Sequence, residues 1–307
     1  MGNFSKDIKS TFQCGYITIL GRPNVGKSTL LNHLLDQKIS ITSRKPQTTR
    51  SQVLGIKTDK TSQAIYIDTP GIQKLYDSPV HRLMNSEAKN SLDQVDIVIF
   101  MIEALKWSAA DKYIVNLIRE SGLPVITAIN KIDKVKKTND LLPFIDNISV
   151  ELNGFDIVPV SAKSGDNVNN LEQLVLSLLP HGPRQYSDDY ITNRSKKFLA
   201  AEFIREKLIN RLGDELPYRI TVTIEEFKEE TGIVWIKAIV WVEGKSQKNI
   251  VIGKNGKILK LVGEAARKDL ERLYDKKVFL ESWVKVMKNW SQSNELLAEL
   301  GLTDNQT

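Results

Sequence analysis

Short apolar runs alternate with stretches of helical spacing through the first 180 residues. Residues 16–20, 65–67, 96–102, 125–129 and 157–160 read as buried strands. Between them, a helix opens at Thr29, another over 111–120 places Tyr113, Ile114, Leu117 and Ile118 on one side, and a third over 168–179 carries Leu171, Leu174, Val175 and Leu178. Strands alternating with helices predict an α/β fold with a doubly wound, mostly parallel sheet, whose ligand loops gather at the carboxyl ends of the strands. The pattern breaks at Pro180-His181-Gly182-Pro183 and a polar run to Asn193, which read as a linker. Beyond it come a helix over 197–212, alternation at Ile220, Val222 and Ile224, a strand over 233–242, an apolar run at 250–252, a helix over 258–273 and a strand over 278–286. They predict a second, α+β domain with helices on a three-stranded sheet. The expected organisation is a first domain over 1–182, a linker over 183–194, a second domain over 195–290 and a tail over 291–307.

The first strand runs into Gly21-Arg22-Pro23-Asn24-Val25-Gly26-Lys27-Ser28, which matches the phosphate-cradling pattern G-x-x-x-x-G-K-[ST] and leads through Thr29 into a helix. Strand, glycine loop and helix are the order that chemistry requires. Backbone N–H groups and the helix N-terminus face the phosphates, Lys27 reaches the terminal ones, and the Ser28 hydroxyl can ligate magnesium. Downstream, the polar loop from Thr42 to Arg50 holds Thr48 and Thr49, either of which can complete a magnesium shell once a γ-phosphate is present. Asp68-Thr69-Pro70-Gly71 closes the next strand. There Asp68 can hold magnesium through water and the Gly71 N–H can meet the γ-phosphate. The polar, irregular stretch over 72–90 reads as a second mobile switch. Asn130-Lys131-Ile132-Asp133 follows another strand. One carboxylate, that of Asp133, can accept both the N1–H and the 2-amino group of guanine, an arrangement adenine does not offer. Asn130 would tie base and phosphate loop, Lys131 would lie along the ring, and in Ser161-Ala162-Lys163 the Ala162 N–H would meet guanine O6.

Charge changes the picture of the second domain. The chain has 307 residues and a net charge of +6, but residues 193–290 hold 21 Lys and Arg against 14 Asp and Glu, while 1–192 are nearly balanced. An anionic partner for the second part follows. Gly253-Lys254-Asn255-Gly256-Lys257 lies within that basic part, with Lys245, Lys248 and Lys260 nearby. Its glycines let backbone approach a nucleic-acid strand and its lysines meet the phosphates, the pattern of a KH module; Trp283 is expected to pack rather than stack on bases. A single cysteine, Cys14, excludes an internal disulfide and suits a reducing cytosol. No apolar run reaches the roughly 18–20 residues that span a bilayer, and residues 1–13 are polar with no signal-peptide core, so a cytoplasmic protein is expected.

Taken together, the phosphate loop, D-T-P-G, N-K-I-D, S-A-K and Val251-Ile252-Gly253-Lys254-Asn255-Gly256-Lys257-Ile258 closely resemble the bacterial Era GTPase family over nearly the whole chain. Pro46-Gln47-Thr48-Thr49-Arg50 resembles its first switch, and Glu264-Ala265-Ala266-Arg267-Lys268-Asp269-Leu270 its sequence after the KH loop. The resemblance implies a P-loop GTPase domain followed by a type II KH domain. It also implies GTP hydrolysis with magnesium, binding to the 3′ end of 16S ribosomal RNA during small-subunit assembly, and peripheral association at the cytoplasmic face of the inner membrane. A monomer is expected. By analogy with related switches, Thr49 is preferred over Thr48. Ile72 stands where Ras-like enzymes carry the water-orienting glutamine, so intrinsic turnover should be slow. Asn24 stands where potassium-activated relatives place a cation ligand, which makes K+ a candidate activator. The competing class is an RNA-binding or membrane scaffold that GTP merely stabilises.

Overall fold

The computed structural model describes residues 12–43, 45, 52–72, 86, 90–212, 219–293 and 295–296. Their contacts divide the chain into two compact units. The first holds the described residues of Met1–Gln37, Leu54–Asp68 and Lys89–Asn193; the second holds those of Lys38–Val53, Thr69–Ala88 and Arg194–Thr307.

In the first unit, β1 (Gln13–Leu20), β3 (Ser62–Asp68), β4 (Ile97–Glu103), β5 (Val125–Asn130) and β6 (Asp156–Pro159) pair in parallel, and β2 (Val53–Thr58) extends the sheet at the β3 edge in the order β2-β3-β1-β4-β5-β6. Six of the seven residues of β4 are buried and all seven of β3, Ser62, Gln63 and Asp68 included, as in strands covered on both faces. β2 and β3 form a hairpin across three exposed residues, 59–61. Its register was not legible from the apolar pattern, because Lys57 and Thr58 interrupt a short run that already contains Gly55.

The register aligns the functional ends. Ile19 pairs with Asp68, Leu20 with Phe100 and Glu103 with Asn130, so the phosphate loop, Asp68 and Asn130 leave the sheet along one edge. Order reverses at β1, the switch point at which open α/β sheets bind ligands. The connecting helices are α1 (Lys27–Leu34), α2 (Ala109–Ser121), α3 (Leu141–Ser149) and α4 (Val168–Leu178). Helix α2 starts where the Asp111 carboxylate accepts the Ser108 N–H (2.8 Å) and hydroxyl (2.7 Å), and stops at Gly122 in the left-handed region.

The second unit contains α5 (Lys196–Arg211), β7 (Ile220–Glu230), β8 (Ile233–Val242), α6 (Lys245–Ile252), α7 (Lys257–Tyr274) and β9 (Lys277–Val286). β7 is antiparallel to β8 with a bulge between Ile224 and Glu226, and β9 is parallel to β8. Ile204 and Leu208 of α5 and Val262 and Ala266 of α7 bury against Val222, Val240 and Val284 of the sheet. The apolar run 250–252 therefore ends a helix. Trp283 does not pack as expected: it is 43% exposed, on the outward face of the sheet with Trp235 and Phe279, whose rings lie 4.7 Å apart. Strand alternation puts Val284 inward and so turns Trp283 outward.

Among the described residues, no helix is long and apolar enough to cross a membrane.

Candidate functional site

The loop between β1 and α1 is fixed from below and from the side. Gly26 has φ 113°, and a Cβ there would sit 2.3 Å from Asn130 Nδ2. Glycine is required both by the backbone conformation and by that close approach. Lys27 is buried and folds back over the loop, its Nζ donating to the Gly21 (3.2 Å) and Arg22 (3.1 Å) carbonyls. Burial pulls its ammonium down to about 8, the charge of Asp68 opposing. Arg22 Nε donates to Asp111 Oδ1 at 2.7 Å, linking the loop to the cap of α2. Asn24 is exposed with φ 63°.

The Ser28 hydroxyl lies 2.7 Å from Asp68 Oδ2. A hydroxyl and a carboxylate converging at the helix start are hard oxygen donors of the type magnesium takes, and both fit a shell completed by water and phosphate oxygens. Thr69, Pro70, Gly71 and Ile72 follow and are buried. The Ile72 side chain, 2% exposed, offers no polar atom to a water. Thr48, Thr49, the rest of 46–51 and residues 73–85 lie outside the described residues.

On the other side, one buried amide organises the base-reading segments. Asn130, 3% exposed, donates Nδ2 to the Val25 carbonyl (2.7 Å) and accepts the Ala162 N–H on Oδ1 (2.8 Å). The Ala162 N–H, expected at guanine O6, is thus engaged in bracing Asn130. The Ser161 hydroxyl donates to Asp133 Oδ1 at 2.8 Å, orienting an exposed carboxylate. Lys131, at φ 69°, donates Nζ to the Asn24 carbonyl (2.6 Å) and to Glu103 Oε2 (2.7 Å). Lys163 is exposed beside this turn. Glu103 was not legible as a site residue, since it ends β4 with no motif around it. Burial would raise its carboxyl, but hydrogen bonds from Lys106 and Lys131 outweigh this and hold it below its ordinary value.

Residues 16–131 match the family described as 50S ribosome-binding GTPase, and residues 215–291 match the KH domain. A Coxiella burnetii protein named GTPase Era is 50% identical over 297 residues, covering 97% of this chain and all of that one, and a Pseudomonas aeruginosa GTPase Era is 47% identical over 304 residues. The chain belongs to the Era GTPase family. Two solved Era structures superpose on nearly all of it. An Aquifex aeolicus Era variant bound to GDP and aluminium fluoride gives a TM-score of 0.91 at 39% identity, covering 95% of this chain and all of that one. An Era complex with MgGDPNP and nucleotides 1506–1542 of 16S ribosomal RNA gives 0.90 at 40% identity, covering 95% and 99%.

The chain is thus a GTPase, and its Era-type KH unit carries a second constellation. Gly253 (φ 73°) and Gly256 (φ 74°) bracket exposed Lys254 and Asn255, and exposed Lys257 opens α7. The two glycines differ. A Cβ on Gly253 would strike Ile258 at 2.6 Å, whereas at Gly256 it would meet nothing within 4 Å. Beside Gly256 a groove of about 510 Å³ runs between Lys260, Gly263 and Arg267 of α7 and Leu280 and Ser282 of β9. Gly263 escaped the sequence reading because a lone helical glycine is an ordinary sight; here it keeps the groove floor open, with nothing within 4 Å of a would-be Cβ.

Proposed function

We propose that this chain is a GTP-driven switch that binds the 3′ end of 16S ribosomal RNA through its KH unit and assists small-subunit assembly. The observation that carries the reading is the single frame in which Asn130 joins the phosphate loop to the S-A-K turn, in the same chain as an open, lysine-flanked groove beside Gly256. The 16S fragment in the Era complex favours the small subunit over the large one named in the family description.

In this reading the GTPase domain spans 1–182, a linker 183–194, the KH domain 195–290 and a tail 291–307. Gly21 to Ser28 and Thr29 cradle the phosphates, with Lys27 turning from the loop carbonyls to the terminal phosphates. Ser28, Asp68 and Thr49 would hold magnesium, which would supply positive charge beside the phosphates. Thr69, Pro70 and Gly71 line the γ-phosphate side, the Gly71 N–H marking its presence. Asp133, oriented by Ser161, reads guanine, while Lys131 and the turn Ala162-Lys163 flank the ring. Because Ile72 is buried and apolar, it cannot orient the attacking water, and positioning falls to Gly71 and Thr49; exposed Asn24 would hold a potassium ion, which would supply positive charge beside the phosphates. On the RNA side, Gly253 to Lys257 approach the strand. The protein acts as a monomer in the cytoplasm, with peripheral association at the inner membrane resting on the family resemblance alone.

The test is RNA affinity with GDPNP or GDP bound, with crosslinking to map the sites. A ligand with equal affinity for both states switches nothing. Equal RNA affinities would favour the second reading, a GTP-stabilised RNA or membrane scaffold, which the buried Ile72 also supports.

A further inference from the structure

Where β4 and β5 end side by side, one carboxylate is tied to the nucleotide site through a single lysine. Glu103 is the last residue of β4 and pairs in register with Asn130, the last residue of β5. Its Oε2 accepts Lys131 Nζ at 2.7 Å, and the same ammonium donates to the Asn24 carbonyl of the phosphate loop at 2.6 Å. Its Oε1 pairs with Lys106 Nζ at 2.7 Å. All of these residues belong to the first compact unit.

The backbone alone does not place the Lys131 side chain. Lys131 has φ 69° and ψ 34°, in the left-handed region that non-glycine residues seldom adopt, and a lysine stem is flexible over four carbons. Two fixed acceptors, one on β4 and one on the phosphate loop, hold the far end of that stem, with the Lys131 and Glu103 side chains only 20% and 17% exposed. The sheet does not need this ion pair, because the main chain already joins the strand ends: the Ala104 N–H donates to the Asn130 carbonyl at 2.8 Å. The Lys106 arm does not account for Glu103 either. It spans three residues with Lys106 62% exposed, and pairs of that kind add little stability. What the Lys131 arm supplies is the direction of a side chain at the base-reading turn.

We propose that Glu103 is a positioning residue of the guanine site, holding the Lys131 stem ready for the face of the base before the nucleotide arrives and so slowing nucleotide release. The proposal rests on the reading of Lys131 as the residue that flanks the ring. A stem already fixed at its far end loses little freedom when the base lies against it, so the ordering cost falls on folding and not on binding. Because the stem meets the ring face, its effect does not depend on the 2-amino group that Asp133 reads.

The experiment follows the release of ribose-labelled fluorescent GDP by stopped flow from full-length wild type, Glu103→Ala, Glu103→Gln, Lys131→Ala, Lys106→Met and the double variant of Glu103→Ala with Lys131→Ala. Glu103→Ala should speed release about 3- to 10-fold, less than the full worth of a charged hydrogen bond because the Asn24 carbonyl still holds Lys131. Glu103→Gln, which keeps an oxygen for Lys131, should recover part of the loss, and Lys106→Met should stay near wild type. Once Lys131 is alanine, Glu103→Ala should add less than about twofold. The Glu103→Ala factor should be the same for labelled inosine diphosphate, which lacks the 2-amino group. Should Glu103→Ala fail to fold, the isosteric Gln variant carries the test, with release at least about twofold faster expected. Unchanged release in Glu103→Ala, an equal factor with and without Lys131, equal speeding by Lys106→Met, or a factor that differs between the two bases overturns the proposal. If Lys131→Ala releases GDP no faster than wild type, the ring-flanking assignment falls and the proposal with it; if it does while Glu103→Ala does not, only the positioning role falls.

Discussion

Introducing a methyl group at Gly26 should act mainly through Asn130, with backbone strain as the smaller part. The added Cβ would lie 2.3 Å from Asn130 Nδ2, so the amide must leave its position and give up its bonds to the Val25 carbonyl and the Ala162 N–H. Each buried group so orphaned costs about 1–3 kcal/mol, hence about 2–6 kcal/mol for the pair, and a non-glycine residue at φ 113° adds backbone strain of about 1–3 kcal/mol. Asn130→Ala loses the same two bonds. The double variant therefore has only the strain to add, and its loss should nearly equal that of Gly26→Ala alone. GDP affinity measured by titration calorimetry on wild type, both single variants and the double closes a thermodynamic cycle. The coupling should be at least about 2 kcal/mol, roughly 30-fold in affinity, where independent sites add to within about 0.5 kcal/mol. Additive losses would show that the amide is not the element through which the loop and the base-reading segments are joined.

Asp133→Asn should weaken GTP by about 10²- to 10⁴-fold, from two charge-assisted hydrogen bonds, and strengthen xanthosine nucleotides, whereas Lys27→Ala weakens both; competition binding decides, and retained guanine preference sinks the base assignment. Gly256→Asp should abolish RNA binding in filter-binding assays at unchanged GTP turnover, because the space there is open and Asp tolerates φ 74°. Gly253→Asp should in addition lower the melting temperature, since its Cβ strikes Ile258; equal melting temperatures for the two would contradict the packing. Turnover in potassium should exceed that in sodium, and Asn24→Ala should erase the difference, with equal rates in both salts disposing of the cation role.

What the chain disclosed before folding was the chemistry that must sit at fixed spacing. Gly26, Lys27, Asp68, Asn130 and Asp133 were readable because phosphate and guanine constrain residue type at each position, and the α/β alternation placed them on strand ends. Elements with weaker constraints were not. Helix α3 buries Ile148 and leaves five of its nine residues exposed, and β2 is too short and too mixed to stand out. The role of Glu103 was hidden for another reason. It acts on a residue distant in sequence, Lys131, and a lone glutamate carries no spacing that announces such a partner. Asn130 was legible as a tether, but its second bond, to Ala162, needed the register of two strands to appear.

The exposed hairpin turn at 59–61 and the buried Cys14 together make the molecule addressable. Burial raises the Cys14 thiol above its ordinary value, so little thiolate is available to an alkylating dye. A cysteine introduced at Lys60 would then take the label alone, at the amino end of β3 and a whole strand away from Asp68. β2 follows the segment read as the first switch and β3 precedes the one read as the second, so the label would stand one strand away along the chain from each.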